Sequence, residues 1–143
     1  MGYMNRIIHF EIHADDPERV ATFYRKIFGW DIKKWDSKEM EYWMVMTAPQ
    51  DSKEPGINGG LLRRGASISP TSPTQKSDQQ ANAFVCTILV DDIDATIAAL
   101  KKEGSVECMP KFAIANMAWQ AYYKDTEGNT FGIHQPFPGM LNK

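Results

Sequence analysis

The chain has 143 residues, of which 43% are hydrophobic and 24% are charged, the balance of a globular protein with a core of its own. The formal net charge of -2 and the pI near 5.9 give no electrostatic basis for binding nucleic acid or an anionic membrane surface. No apolar run approaches the roughly 20 residues of a membrane-spanning helix, and Cys86 and Cys108 lack a CxxC spacing, which predicts reduced thiols in a cytoplasmic protein.

The first predicted strand has two chemically different faces. Its apolar and polar residues alternate with the period of two that a strand requires, Ile8, Phe10 and Ile12 against His9, Glu11 and His13. We expect the apolar face to contact a helix and the polar face to line a cleft.

An amphipathic helix is predicted directly after this strand. Asp15 and Asp16 supply its N-terminal cap, and Pro17 fits the first turn, where a missing N–H costs nothing. Gly29 fits the C-terminal cap. The predicted buried stripe recurs every three to four residues, at Val20, Phe23, Tyr24, Ile27 and Phe28.

Three more strands are predicted in the first half, at residues 30–35, 40–46 and 57–64. The last one contains Gly59 and Gly60, and glycines within a strand favour close approach of a ligand or a neighbouring strand to bare backbone. Several aromatic residues lie on strands that should border the cleft, where they pack in the core or stack on a planar ligand: Tyr42, Trp43, Trp119 and Tyr122.

Residues 65–82 differ in composition from the rest of the chain. They are rich in Ser, Thr, Pro and Gln and contain almost no large apolar side chains. This composition predicts a linker. A lid over a pocket is the alternative interpretation, because long loops often carry function.

The second half follows the same plan as the first. A strand is predicted at residues 84–90, followed by a helix with Asp91 as its cap and Gly104 at its end. The buried stripe of this helix is Ile93, Ile97 and Leu100. Further strands are predicted at residues 106–114, 118–124 and 130–135, the last two joined by a turn at 125–129.

The two halves are predicted to be two copies of one unit. The stretch from Val85 to Asp92 repeats the stretch from His9 to Asp16, 76 residues earlier in the chain. We therefore predict an α+β fold in which two βαβββ modules form one curved mixed sheet around a cleft. The chain is expected to be a single domain over residues 1–143, with module one at 6–64, the linker at 65–82 and module two at 83–137.

Five motifs carry a resemblance to a known family. They are His9-Phe10-Glu11-Ile12, Asp15-Asp16-Pro17-Glu18-Arg19, Gly56-Ile57-Asn58-Gly59-Gly60-Leu61, Val90-Asp91-Asp92-Ile93-Asp94 and Asp125-Thr126-Glu127-Gly128-Asn129-Thr130-Phe131-Gly132-Ile133. In this order and spacing they resemble the vicinal oxygen chelate superfamily, which includes glyoxalase I, bleomycin-resistance proteins and extradiol dioxygenases. The resemblance covers residues 6–137.

The resemblance also implies a metal site, which this sequence does not reproduce. In metal-dependent members four inward positions hold one divalent ion, and here they match His9, then Gly59 or Gly60, then Val85 and Gly132. Only His9 offers a side-chain ligand, so we expect no metal and no other cofactor.

A different metal site remains an alternative. His9, Glu11 and His13 share one strand face, and His134 lies two residues beyond Gly132, so two histidines and a carboxylate could form a facial site. The competing interpretation is that these groups line a pocket, with His9 and Glu11 hydrogen-bonded to each other or to nearby backbone.

The expected function is binding of a small molecule in the cleft, with a lyase or isomerase reaction that acts without the usual metal site. His9 and Glu11 are assigned as the catalytic acid–base pair. The expected ligand contacts are Trp43, Gly59, Gly60, Thr87, Trp119, Gly132 and His134. The alternative is a non-catalytic protein that sequesters a planar or hydrophobic compound, as bleomycin-resistance proteins do. A homodimer is expected because each concave module face needs cover.

Overall fold

A computed structural model describes residues 4–38, 40–64 and 84–139. Its elements in chain order are β1 (Ile7–Ala14), α1 (Pro17–Phe28), β2 (Asp31–Lys34), β3 (Trp43–Met46), β4 (Gly59–Arg63), β5 (Phe84–Leu89), α2 (Ile93–Lys102), β6 (Val106–Ile114), β7 (Ala118–Lys124) and β8 (Thr130–Pro136). The predicted α+β fold is confirmed, and each predicted strand and helix has a counterpart. The predicted linker at residues 65–82 lies outside the described residues.

All eight of these strands belong to one mixed sheet with the order β2-β3-β4-β1-β5-β8-β7-β6. Within each half the first and last strands pair in parallel, β1 with β4 and β5 with β8. The halves meet where β1 and β5 pair antiparallel. The order is therefore the same in both halves when each is read outward from this central pair, as expected for a duplicated unit.

Both helices begin and end on capping residues. Asp16 accepts a hydrogen bond from the Arg19 backbone N–H at 3.1 Å, and Gly29 ends α1 in the left-handed conformation at φ 72°. In α2 the cap is Asp92, whose side chain accepts from Ala95 N at 3.1 Å. The prediction of Asp91 as the cap is thus wrong by one residue, because Asp92 is the residue that holds the extended conformation required before the first helical turn.

The two faces of the sheet carry different layers. The face that carries Phe10, here called the helix side, packs against both helices. Its first cluster consists of Phe10, Ile12, Ala14, Ala21, Ile32, Trp43, Val45 and Leu61, and its second of Val90, Ile93, Ala121, Tyr123 and Ile133. The predicted buried stripe of α1 is wrong at Phe23, Ile27 and Phe28, which are more than half exposed, because the helix contacts the sheet through Val20, Ala21 and Tyr24. None of the helices in the described part of the chain is long and apolar enough to cross a membrane.

The other face, here called the cleft side, carries Glu11. Its apolar cluster joins Leu62 of β4 to Met109 and Phe112 of β6 and to Tyr122 of β7. Four strands lie between β4 and β6 in the sheet order. Their side chains meet only because the sheet curves around the cleft side, so the protein fills much of the cleft with its own residues.

Candidate functional site

The structure divides the expected site residues between the two faces of the sheet. Glu11 pairs with Gly60 on β4 and Val85 on β5, and His9 pairs with Thr87, which in turn pairs with Gly132. Residues paired in this way share one face. The residues brought together on the cleft side are therefore His9, Glu11, Gly60, Thr87, Gly132 and His134.

Trp43 was expected in the cleft but lies on the helix side. It is buried at 2% exposure among the residues under α1, and its indole N–H donates to the Glu18 carboxylate. The strand begins at Trp43 and pairs it with Leu61, another helix-side residue. Tyr42, one residue earlier, points to the cleft instead.

Trp119 and Gly59 lie on the helix side as well. The Trp119 ring packs with the residues under α2, with the Lys111 ammonium 4.4 Å from its centroid. Gly59 lies directly against Phe10, and a side chain there would overlap the Phe10 backbone and ring. The alternation in the sequence establishes two faces, but it does not say which face of β3 or β7 is turned to the cleft.

A histidine and a tyrosine form the exposed end of the cleft-side polar cluster. His9 Nε2 and the Tyr42 hydroxyl lie 2.9 Å apart and share a hydrogen bond, and both side chains are partly exposed. The backbone holds Tyr42 in place, because its carbonyl accepts a hydrogen bond from Trp35 N at 2.7 Å next to the β2–β3 pair. This pair is less buried than the Glu11 carboxylate on the same face.

A buried carboxylate lies beneath this pair. Glu11 is only 4% exposed, and its Oε1 accepts a hydrogen bond from the Tyr122 hydroxyl at 2.6 Å. The same oxygen is 3.7 Å from His13 Nε2, beyond hydrogen-bond distance, and both ring nitrogens of the buried His13 lack a hydrogen-bond partner among the described residues. Glu11 therefore acts on its surroundings mainly as a buried negative charge.

The pKa directions follow from this burial and this charge. Burial alone would raise the pKa of the Glu11 carboxyl, but His13, His9 and Tyr122 outweigh it and hold the pKa below its ordinary value. Burial lowers the pKa of His9, against the opposing effect of Glu11. Burial and the Glu11 charge raise the pKa of Tyr42 well above its ordinary value. At neutral pH the cluster therefore holds an ionised carboxylate, a neutral imidazole and a protonated phenol.

The second half of the cleft carries a related polar group. His134 Nδ1 donates to Gln120 Oε1 at 2.7 Å, since an amide oxygen can only accept. Burial is the main cause that lowers the pKa of His134 to about 4, and the neighbouring His9 contributes in the same direction. The buried Thr87 hydroxyl has no hydrogen-bond partner among the described residues. His134 is thus a second neutral imidazole on the cleft side.

The residues at the four inward positions do not fit the family's metal. The Tyr42 hydroxyl fills the space next to Gly60, and Gln120 and Thr87 fill the space next to Gly132, where an added Cβ would be 2.8 Å and 2.9 Å from their polar atoms. Val85 supplies only a buried apolar side chain. Within residues 4–38, 40–64 and 84–139, no group of three or more His, Cys, Asp or Glu side chains is placed to hold a metal ion.

Three residues of this cluster were not assigned to the site from the sequence. Tyr42 and Tyr122 were noted only as aromatic residues near the cleft, and Gln120 was not singled out. The glycines in the sequence could have indicated two of these residues, because a glycine within a strand often marks the close approach of another group to the backbone. That group is Tyr42 at Gly60 and Gln120 at Gly132.

Comparison with known proteins places most of the chain in one family. The family model described as Glyoxalase/Bleomycin resistance protein/Dioxygenase superfamily matches residues 6–133. A "Glyoxylase-like domain-containing protein" of Didymella fabae is 28% identical over 133 residues, which is 90% of this chain and 91% of that protein.

Solved structures of methylmalonyl-CoA epimerases are similar in fold. One, in complex with methylmalonyl-CoA and ammonium, is 16% identical, with 96% of this chain and 97% of that chain covered at a TM-score of 0.60. Another, from Mycobacterium tuberculosis, is 13% identical, with 100% of this chain and 95% of that chain covered at a TM-score of 0.61.

Proposed function

This chain belongs to the glyoxalase/bleomycin resistance protein/dioxygenase superfamily, and we propose that it binds a small carbonyl compound on the cleft side and isomerises it by proton transfer through His9. The observation that carries the proposal is the His9–Tyr42 pair, a neutral imidazole hydrogen-bonded at 2.9 Å to a phenol at the partly exposed end of a buried polar cluster. The epimerase activity named for its structural neighbours supports the isomerase class.

The proposed step is abstraction of a proton from the carbon next to a carbonyl group. A ring nitrogen of His9 takes the proton, the C–H bond breaks, and its electron pair moves to the carbonyl oxygen to give an enolate. The imidazolium that forms is stabilised by the Glu11 carboxylate, whose charge raises the pKa of His9. Return of the proton from the imidazolium to the enolate, in the altered configuration or position, gives the isomer. No part of this step uses a metal held by the protein.

Glu11 is proposed to support His9 rather than to act as the base itself. Its carboxylate is almost fully buried, and one oxygen is occupied by the Tyr122 hydroxyl. Its burial, more than that bond, keeps a substrate carbon away from it. His134 is partly exposed on the cleft side and is proposed to contact the ligand, whereas Thr87 and Gly132 are buried next to it and line the floor of the site.

The test is exchange of a substrate proton with solvent deuterium. Wild-type protein is incubated in deuterium oxide with a panel of 2-substituted acyl thioesters and 2-hydroxy ketones, and deuterium at the carbon next to the carbonyl is measured by mass spectrometry. His9→Gln keeps an amide N–H that can donate to Tyr42 but has no basic nitrogen, so exchange should slow by about 100-fold or more.

Equilibrium unfolding of the same His9→Gln variant serves as its control. An unchanged unfolding midpoint together with lost exchange supports His9 as the base. Exchange by His9→Gln at the wild-type rate would contradict the proposal, and so would a wild-type protein that exchanges none of the panel.

A non-catalytic binding protein is the second candidate, and the apolar side chains at the edge of the cleft favour it. Met44 is 47% exposed on the cleft side, and Met40, Tyr42 and Ile114 pack around the cleft cluster with part of their surface open. Flexible thioether side chains adapt to varied apolar ligands. Tight binding of a planar compound by a protein that exchanges no substrate proton would favour sequestration.

We further propose a homodimer, formed through the outer surface of α1. This surface exposes large apolar side chains that monomeric proteins rarely group together, with Phe23, Ile27 and Phe28 between 53% and 60% exposed and Phe84 47% exposed beside them. Phe23 and Phe84 also line a groove of about 460 Å³. Sedimentation velocity should give a dimer at high micromolar concentration, and a monomer there would refute this proposal.

Both cysteines are free, which supports the proposed cytoplasmic location.

A further inference from the structure

We propose that the Tyr42 hydroxyl occupies the place of a lost metal ligand and donates a hydrogen bond to the ligand's carbonyl or enolate oxygen. This inference rests on the proposed function, since it names the group that would stabilise the charge that His9 creates. The sequence match leaves Gly59 or Gly60 as the ligand position, and the structure distinguishes them. Gly60 pairs with Glu11 on the cleft side, whereas Gly59 is packed against Phe10 on the helix side.

In both halves of the molecule, polar side chains from other residues fill the space next to a cleft-side glycine. Gly60 and Gly132 lie on corresponding strands of the duplicated sheet, β4 and β8. At each glycine, the space that a side chain would take is filled by a polar side chain from a neighbouring strand or from the residues next to that strand. An added Cβ at Gly60 would overlap the Tyr42 hydroxyl. At Gly132 the corresponding space holds the Gln120 amide and the Thr87 hydroxyl. Both vacated positions are therefore filled by neutral hydrogen-bonding groups.

Of these groups, Tyr42 has the most exposed side chain. Gln120 and Thr87 are 2% and 1% exposed, and Gln120 already accepts a hydrogen bond from His134. Tyr42 is partly exposed and lies directly beside His9. Its phenol oxygen is therefore next to the proposed base and better placed than Gln120 or Thr87 to meet a ligand bound there.

One hydrogen-bonding arrangement gives each member of this pair its role. When His9 Nε2 carries the proton, it donates to the Tyr42 oxygen. His9 Nδ1 then has a free lone pair that can accept a proton, and the Tyr42 hydroxyl hydrogen is free to donate to a ligand oxygen. A donor aimed at the oxygen where charge develops stabilises an enolate as a cation would, and loss of one such donor typically slows catalysis by about 100-fold or more.

The test uses two Tyr→Phe variants with the same chemical change. Tyr42→Phe removes the hydroxyl and keeps the ring, and Tyr24→Phe makes the same change on the helix side, away from the cleft. Each protein is assayed for solvent-deuterium exchange and, by calorimetry, for binding of oxalate, a planar dianion that resembles an enediolate. Tyr42→Phe should lose about 100-fold in exchange and at least about tenfold in oxalate affinity. Tyr24→Phe should match wild type in both.

A second variant tests the position of the hydroxyl rather than its presence. Gly60→Ala leaves the hydroxyl in the protein but displaces it, because the new methyl group would overlap it, so it should also weaken oxalate binding. If Tyr42→Phe binds oxalate and exchanges substrate protons as well as the wild-type protein does, Tyr42 is not the donor, and the proposed role of His9 is unaffected. Oxalate binding that depends on Tyr42 without any exchange would support the donor and refute the proposed reaction. A wild-type protein that does not bind oxalate would overturn the donor.

Discussion

Phe10→Ala is expected to lower the free energy of unfolding by about 3–5 kcal/mol. Phe10 is 7% exposed at the centre of the helix-side core, stacked on Phe84 at 5.4 Å between ring centroids and tilted against Trp30 at 6.1 Å. Removing the ring leaves a cavity that the two neighbouring strands, β4 and β5, cannot close. Urea unfolding, followed by tryptophan fluorescence, measures the loss.

Glu11→Gln, one residue further along β1, is the matched comparison. Glutamine has nearly the same shape, and its amide oxygen can still accept the hydrogen bond from Tyr122. We therefore expect a smaller loss of stability than for Phe10→Ala, together with an altered solvent exchange rate because His9 loses its neighbouring charge. If Glu11→Gln unfolds the protein while Phe10→Ala has no effect, the two faces of β1 have been assigned the wrong way round.

The sequence predicted the fold well because its local signals are strong and agree with one another. The alternation in β1, the capping residues of α1 and the repeat 76 residues apart each point to the same duplicated unit. The 3.6-residue spacing of Ile93, Ile97 and Leu100 likewise marks the side of α2 that packs on the sheet.

The site was predicted less completely, because strand register decides which face of the sheet a side chain points to and what it packs against. Trp43 lies on a strand whose two faces are both apolar, so alternation gave no reason to turn it away from the cleft. On β7 the face opposite Trp119 mixes Gln120 and Lys124 with apolar residues, and the polar residues there mark the cleft side. Tyr42 lies just before β3, and only the pairing of Gly60 with Glu11 and Met44 shows what fills the space beside that glycine. A single sequence does not contain this distance information.

The second large effect is expected in the titration of the histidines. Burial lowers the pKa of His134 from 6.5 to about 4 and also lowers that of His9. In the unfolded chain both groups would titrate near 6.5. The folded protein should therefore keep both imidazoles neutral at pH 7, and His134 should remain neutral until the pH approaches 4.

An NMR titration of the histidines also reports which ring nitrogen carries the proton. His134 should hold its proton on Nδ1, where it donates to Gln120, and His9 should hold its proton on Nε2, where it donates to Tyr42. Proton transfer by His9 with Tyr42 as hydrogen-bond donor needs this arrangement, because a proton on Nδ1 would leave the base without a free lone pair and would commit the Tyr42 hydroxyl to His9.

The most direct measurement is therefore a pH titration of the ¹⁵N-labelled protein by long-range ¹H–¹⁵N NMR, with His9→Gln and His134→Asn used to assign the signals. We predict a neutral His9 at pH 7 with its proton on Nε2, a pKa below 6.5, and a change of that signal in Tyr42→Phe. A His9 that is protonated at pH 7, or neutral with its proton on Nδ1, would contradict the proposed roles of His9 and Tyr42.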